Sequence, residues 1–137
     1  DFVLVDAGAE VGRYVADVTR THVAGKPTPF QRDLHQLVVH AEQRAIARCV
    51  AGAEWKAIHL ATAVDLVEGL VAMGVMRGAA ASLVEQDAHL LFFPHGVGHM
   101  VGLGVRDGSG QAPAGRRIPG PPCARSGWTC PSSRDTS

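Results

Sequence analysis

The sequence has no excess of either charge, since thirteen Lys and Arg residues balance thirteen Asp and Glu residues. Without a net field, electrostatic attraction to nucleic acid or to an anionic membrane is not expected. The sequence also lacks an apolar run of the roughly 20 residues that a membrane span needs, and its first residues lack the basic and apolar regions of a secretory signal. These absences predict a cytoplasmic chain with neither nucleic acid nor membrane as a partner.

Cysteine is scarce as well. The three cysteines, Cys49, Cys123 and Cys130, show no CxxC spacing and cannot all pair, so no disulfide framework is predicted. Glutamate is absent after Glu85. What the 137 residues do contain is 46% hydrophobic side chains, which is enough for the core of one domain.

The first part of the chain has the pattern of a β-ribbon. Residues 1–7 (DFVLVDA) form a β-branched apolar run, and residues 12–21 (GRYVADVTRT) alternate between apolar and polar side chains. We predict that they are the two arms of a hairpin, with the segment AGAEVG as the turn between them.

The middle of the chain has helical periodicity. Thr28 followed by Pro29 is typical of a helix start, and apolar residues then recur at helical spacing as far as residues 51–52. A second helix is predicted over residues 55–73 and a shorter one over residues 79–87. The apolar segments HLLFFPH and VGLGV then predict two buried strands around a glycine-histidine turn.

From residue 108 onward the periodicity ends and Gly, Pro, Ser and Arg dominate. Such a composition buries too little apolar surface to offset the entropy that ordering costs. We therefore predict one domain over residues 1–107 and an irregular tail over residues 108–137.

Two short segments carry side chains that can bind a metal ion. Asp6 and Asp17 lie eleven residues apart, so a hairpin can bring both carboxylates to one site, and hard divalent cations prefer such oxygens. His95 and His99, in the segment PHGVGHM, offer imidazole nitrogens. Each pair also has a simpler interpretation, because Asp in turns commonly bonds its own backbone and a histidine at a strand end can simply be hydrogen-bonded. Spacing alone does not decide between these interpretations.

The segments VDAGAEVGRYVADVTRT and FFPHGVGHMVGLGVRD resemble the two signatures of the pita-bread metallopeptidases, the family of Xaa-Pro aminopeptidases and prolidases. The sequence between them is similar to the two long helices that separate those signatures, and the resemblance covers about residues 1–120. It implies an α+β fold, a partial pita-bread fold in which an antiparallel β-ribbon and sheet pack on two long helices.

The resemblance also implies roles for individual residues. Asp6 would chelate one metal ion, Asp17 would bridge two, and His99 would bind one of them through an imidazole nitrogen. His95 matches a histidine that lies near the substrate without binding metal and can donate a hydrogen bond to the oxyanion. In such enzymes water between two Mn²⁺, Co²⁺ or Zn²⁺ ions attacks the bond before proline in a peptide substrate.

Two departures from the family pattern are expected to matter. The family's other two ligands are glutamates after the histidine motif, one of them thought to be the general base, whereas the only acids after Glu85 are Asp87, Asp107 and Asp135 and none matches those glutamates. At most one weakly bound ion is therefore expected. Arg106 replaces a substrate-facing histidine, and two interpretations stay open: a bidentate clamp on a substrate carboxylate, or a surface arginine.

Three interpretations of the whole chain compete: an active Xaa-Pro peptidase, a non-catalytic binding module with this fold, and an inactive fragment of an Xaa-Pro peptidase, which we favour. Exposed sheet edges leave a homo-oligomer open as well. Back-translation of residues 126–137 in a shifted frame can give RVDLPLEPGYL, which resembles what the family carries before one of its glutamates. We therefore predict a frameshift between about Pro119 and Ser126, with the missing glutamates encoded downstream.

Overall fold

A computed structural model describes residues 1–107, so the predicted irregular tail and frameshift lie outside the described residues. The chain begins with a two-stranded antiparallel ribbon of β1 (Phe2–Ala7) and β4 (Val18–Val23), in which Asp6 pairs with Thr19. The predicted ribbon is thus confirmed, although its second arm begins later in the sequence than expected.

The reason for this shift is a second, smaller hairpin between the two arms. It consists of β2 (Glu10–Val11) and β3 (Tyr14–Val15). Its turn residues, Gly12 and Arg13, have positive φ angles of 58° and 71°. A tight two-residue hairpin requires positive φ at both central positions, which Gly12 adopts without a steric cost. The small hairpin therefore uses residues that the sequence pattern had assigned to the long arm.

Three α-helices follow the ribbon: α1 (Pro29–Arg48), α2 (Trp55–Ala72) and α3 (Ala80–Glu85). Thr28 caps α1 as predicted, because its side chain accepts a hydrogen bond from the backbone N–H of Gln31 while the Gln31 side chain accepts from the backbone N–H of Thr28. The helix positions predicted from the sequence are confirmed to within a few residues at each end.

Helix α2 packs against both α1 and α3. Its residues Ala63 and Val67 are completely buried and form a core with Val84 of α3, against which Phe93 packs. The other partly buried residues around this core are Val64, Val71, Met76, Ala80 and Leu83. Since Phe93 begins the segment that leads to His99, this core anchors one end of the loop that carries the histidine motif.

The prediction of two strands in the segments HLLFFPH and VGLGV is wrong. Residues Ala88–Leu91 form a 3-10 helix, and no strand is found between residues 92 and 107. A short apolar run does not by itself distinguish a strand from a buried helical turn. In the second segment the backbone bonds locally, with the Gly102 N–H donating to the Gly104 carbonyl. The Gly102 carbonyl in turn accepts a hydrogen bond from the Val15 N–H of β3.

Extensive contacts occur within the ribbon and among the helices. Within residues 1–107, contacts between the ribbon and the helices are less extensive. Many apolar side chains of the ribbon are exposed as a result, among them Leu4 at 65%. None of the helices described in this range combines the length and hydropathy that crossing a membrane would require.

Candidate metal centre

Asp17 and His99 meet at the base of the ribbon. Asp17 lies just before β4, and His99 lies in the loop that follows the 3-10 helix. The His99 Nε2 atom is 3.2 Å from an Asp17 carboxylate oxygen, although the two residues are far apart in the sequence. They line an open cleft of about 350 Å³, and its other lining residues are Thr19, Val97, Gly98 and Val101. The structure therefore brings two of the three predicted metal ligands together.

Asp6, the third predicted ligand, lies one side chain away from this pair. It pairs with Thr19 across the ribbon, and its carboxylate accepts a hydrogen bond of 3.0 Å from the Thr19 hydroxyl. Thr19 itself lines the cleft. Among residues 1–107, no three side chains of the His, Cys, Asp and Glu types are grouped so that they could hold a metal ion together. Asp6 therefore does not line the cleft itself and is linked to it by the hydrogen bond from Thr19.

Thr19 is a site residue that sequence reasoning missed. The signal was available, because side chains two residues apart in an extended chain point to the same side, and Thr19 follows Asp17 by two. A threonine hydroxyl does not stand out in the sequence as a site residue, because it binds metal ions more weakly than carboxylate and imidazole do.

The ring orientation of His99 is set by its own backbone. Its Nδ1 atom is 3.0 Å from the carbonyl oxygen of Met100. A carbonyl oxygen only accepts hydrogen bonds, so Nδ1 carries a hydrogen and donates it, which leaves Nε2 to face Asp17. The loop is also supported at Gly98, where a Cβ atom would lie 3.4 Å from the Trp55 ring at the start of α2. The Gly98 backbone therefore lies close to the indole ring.

The Asp17 and His99 atoms fit a shared divalent cation. Two ligand atoms at about 2.0–2.2 Å from one ion lie about 2.8–3.6 Å apart in octahedral or tetrahedral geometry. The Nε2 to carboxylate oxygen distance of 3.2 Å falls within that interval. An imidazole that carries its hydrogen on Nδ1 alone presents the Nε2 lone pair to a cation shared with that carboxylate, whereas an imidazolium would donate from Nε2 to the carboxylate as an ion pair. The pair is therefore suitable as part of a metal site.

The two predicted substrate-binding residues lie outside this cleft. His95 and Arg106 are both exposed, and neither belongs to the residues that line it. Arg106 lies near the end of the loop that begins after His99. Their assignment to substrate binding stays a prediction.

A second pair of histidines is buried beside the core, and no motif in the sequence predicts it. His59 on α2 and His89 on the 3-10 helix have ring centroids 6.3 Å apart, and His59 also stacks on Phe93 at 5.4 Å. Within the described residues, neither Nδ1 atom has a hydrogen-bond partner. Burial lowers the pKa of His59, and the neighbouring imidazole lowers it further. Burial also lowers the pKa of His89, although nearby Asp87 opposes that shift. Both rings are therefore packed as neutral groups.

Comparison with known proteins gives consistent matches. A sequence profile described as Metallopeptidase family M24 matches residues 1–125. An Xaa-Pro aminopeptidase of Haemophilus influenzae is 41% identical over 108 residues, which are 78% of this chain and 25% of that protein. Aminopeptidase PepP of Pseudomonas aeruginosa superposes with a TM-score of 0.76 at 32% identity, over 88% of this chain and 28% of its own.

A zinc-substituted aminopeptidase P of Escherichia coli, solved in complex with product, has the same TM-score of 0.76 at 34% identity, and the match covers 88% of this chain and 28% of that one. The chain thus spans about a quarter of the length of the proteins that it matches.

Proposed function

The chain belongs to metallopeptidase family M24, and from that membership we propose that it carries part of the catalytic site of an Xaa-Pro aminopeptidase. Such an enzyme hydrolyses the peptide bond that precedes a proline. The family match and the superpositions confirm the predicted α+β fold as a part of the pita-bread fold. The observation that carries the proposed function is the contact between Asp17 and His99, which come from the two separate signatures and meet at a distance suited to a shared cation.

In this proposal Asp17 and His99 hold a divalent cation, and Asp6 joins them when its carboxylate turns from Thr19 to the cleft. Carboxylate oxygens and an imidazole nitrogen suit Mn²⁺, Co²⁺ and Zn²⁺. The chemistry that such a cation supplies is Lewis acidity, which lowers the pKa of water and stabilises negative charge on the attacked carbonyl. Before the cation binds, the hydroxyl of Thr19 holds Asp6 beside the cleft, since it donates to that carboxylate.

His95 and Arg106 complete the proposed site on its substrate side. An exposed imidazole next to the cleft-lining residues Val97 and Gly98 can donate a hydrogen bond to the peptide. Arg106 can clamp a carboxylate of the peptide with two parallel hydrogen bonds. Both side chains are exposed at the surface, which is where a peptide from solvent would meet them.

We further propose that the 137-residue chain does not hydrolyse peptides by itself. The family resemblance calls for two glutamates beyond the histidine motif, and this sequence has none after Glu85. Three ligands hold one ion weakly, and the sequence after Glu85 lacks the glutamate that the family resemblance gives as the general base. Weak binding of one ion and no turnover is therefore the expected behaviour.

A chimera tests the proposed function directly. Residues 1–107 would replace the matching segment of the Haemophilus influenzae Xaa-Pro aminopeptidase, which supplies the remainder of the catalytic domain. We expect hydrolysis of an Xaa-Pro peptide in the presence of Mn²⁺, and its loss by at least about 100-fold in chimeras that carry Asp17→Asn or His99→Gln. Asp33→Asn, at an exposed position of α1, is the matched control and should leave the rate unchanged.

The chimera also separates the proposed function from the binding-module alternative. A chimera that is monodisperse and helical by circular dichroism but cleaves no Xaa-Pro peptide would contradict the proposal. Conversely, turnover by the isolated 137-residue chain would contradict the expectation that this chain is inactive alone.

A further inference from the structure

Asp107 closes the loop that follows His99. Its carboxylate accepts a hydrogen bond of 3.2 Å from the Leu103 N–H, and its own backbone N–H donates to the Met100 carbonyl at 3.1 Å. Residues 100–107 are thereby folded into a closed loop, which is also tied to β3 through the bond from the Val15 N–H to the Gly102 carbonyl.

The fit of this carboxylate is tight. A Cβ atom on Gly102 would overlap an oxygen of the Asp107 carboxylate, and Gly102 is buried although the loop around it is largely exposed. Only glycine leaves room for the carboxylate at this point. The carboxylate is therefore held against the loop backbone, although Asp107 as a whole is exposed.

The Met100 carbonyl links this loop to His99. It accepts two hydrogen bonds, one from the Asp107 backbone N–H at 3.1 Å and one from the His99 Nδ1 at 3.0 Å. A carbonyl oxygen has two lone pairs, so both are used. The position of the Met100 carbonyl, which the loop fixes, decides which ring nitrogen carries the hydrogen and which one faces Asp17.

We propose that Asp107 is a positioning residue for His99. By closing the loop it holds the Met100 carbonyl where it accepts from Nδ1, and so it keeps Nε2 directed at Asp17. The inference rests on the proposed function, in that His99 Nε2 is a metal ligand there. Ligand histidines generally need such a partner for the second nitrogen, and loss of that partner weakens metal binding by about 10- to 100-fold.

The test uses the full 137-residue chain and two independent measurements. Nitrogen-15 NMR of the histidine rings at mildly alkaline pH reports which nitrogen of His99 carries the hydrogen, and the His99→Gln variant assigns the signals. Titration with Zn²⁺ alone reports affinity. In the unsubstituted chain we expect the hydrogen on Nδ1.

Asp107→Ala should shift the hydrogen toward Nε2 and weaken Zn²⁺ binding by about 10- to 100-fold. Asp107→Asn should restore both readouts, because the amide oxygen can still accept from the Leu103 N–H. Asp33→Ala, which removes a carboxylate from the exposed side of α1, is the matched control and should change neither.

The tautomer measurement needs no metal, so it separates this inference from the proposed function. If Zn²⁺ does not bind the unsubstituted chain at all, the proposed function loses support while the tautomer result still tests Asp107. If Asp107→Ala lost its helical circular dichroism, Gly102→Ala, which displaces the carboxylate, would take its place. A folded variant of either kind with the hydrogen still on Nδ1 overturns the proposal.

Discussion

Val67→Ala tests the core that anchors the histidine loop. Val67 is completely buried between Ala63 and Val84. The substitution removes two buried carbon atoms, which is a loss of about 1.6 kcal/mol at about 0.8 kcal/mol for each buried CH₂ group. The cavity left behind adds to this because neighbouring helices relax only partly. We expect the free energy of unfolding to fall by about 2–3 kcal/mol in total.

Urea unfolding followed by far-ultraviolet circular dichroism measures this change. With an m value of about 1.5 kcal/mol/M, the midpoint should fall by about 1.3–2 M. Val38→Ala is the matched control, since Val38 on α1 is 51% exposed, and it should change the free energy by less than about 1 kcal/mol. Equal midpoints for Val67→Ala and Val38→Ala would refute the reasoning that the α2 and α3 contact is the centre of the core.

Two further predictions concern acid stability and the ribbon. The unfolded chain protonates His59 and His89 at the ordinary pKa of about 6.5, whereas the folded chain resists because burial lowers both pKa values. Stability should therefore be highest above about pH 6.5 and fall as the pH drops below it. Urea midpoints measured at several pH values would show this fall. A flat plot of midpoint against pH would contradict the prediction, as would a change in the slope of that plot when exposed His22 is replaced by Ala. Gly8→Ala should disrupt the turn before β2, because its Cβ would overlap the Ala16 carbonyl oxygen. The Ala16 amide hydrogen donates to the Ala9 carbonyl at 2.9 Å, and its exchange with solvent should accelerate in this variant. Unchanged exchange would contradict the predicted overlap.

The helices and the approach of Asp17 to His99 were the most predictable features. The start of α1 could be predicted because Thr28, Pro29 and Gln31 act through neighbours in the sequence. Asp17 and His99 were found because the residue types restrict the chemistry and the motif resemblance supplied the pairing. Local rules and motif chemistry were sufficient for these features.

Features that depend on tertiary packing were not predictable. The expected strand around residues 89–95 became a 3-10 helix, since Asp87 adopts a left-handed conformation before it and Phe93 packs against the core of α2 and α3 instead of joining a sheet. The burial of His59 beside His89 depends on how α2 meets that helix. In the sequence Asp107 matches none of the expected metal ligands. Its proposed role in positioning His99 rests on the hydrogen bond from the Leu103 N–H, which depends on the folded loop.

The most direct test of the metal site is paramagnetic broadening by Mn²⁺ in NMR spectra of the 137-residue chain. The ring signals of His99 and the methyl signal of Thr19 should broaden at Mn²⁺ concentrations that leave exposed His35 on α1 unaffected. Asp17→Asn should remove this selectivity, because it takes away the carboxylate that faces Nε2. If His99 and His35 broaden together, or if selective broadening survives in Asp17→Asn, then Asp17 and His99 do not hold the cation and the account is wrong.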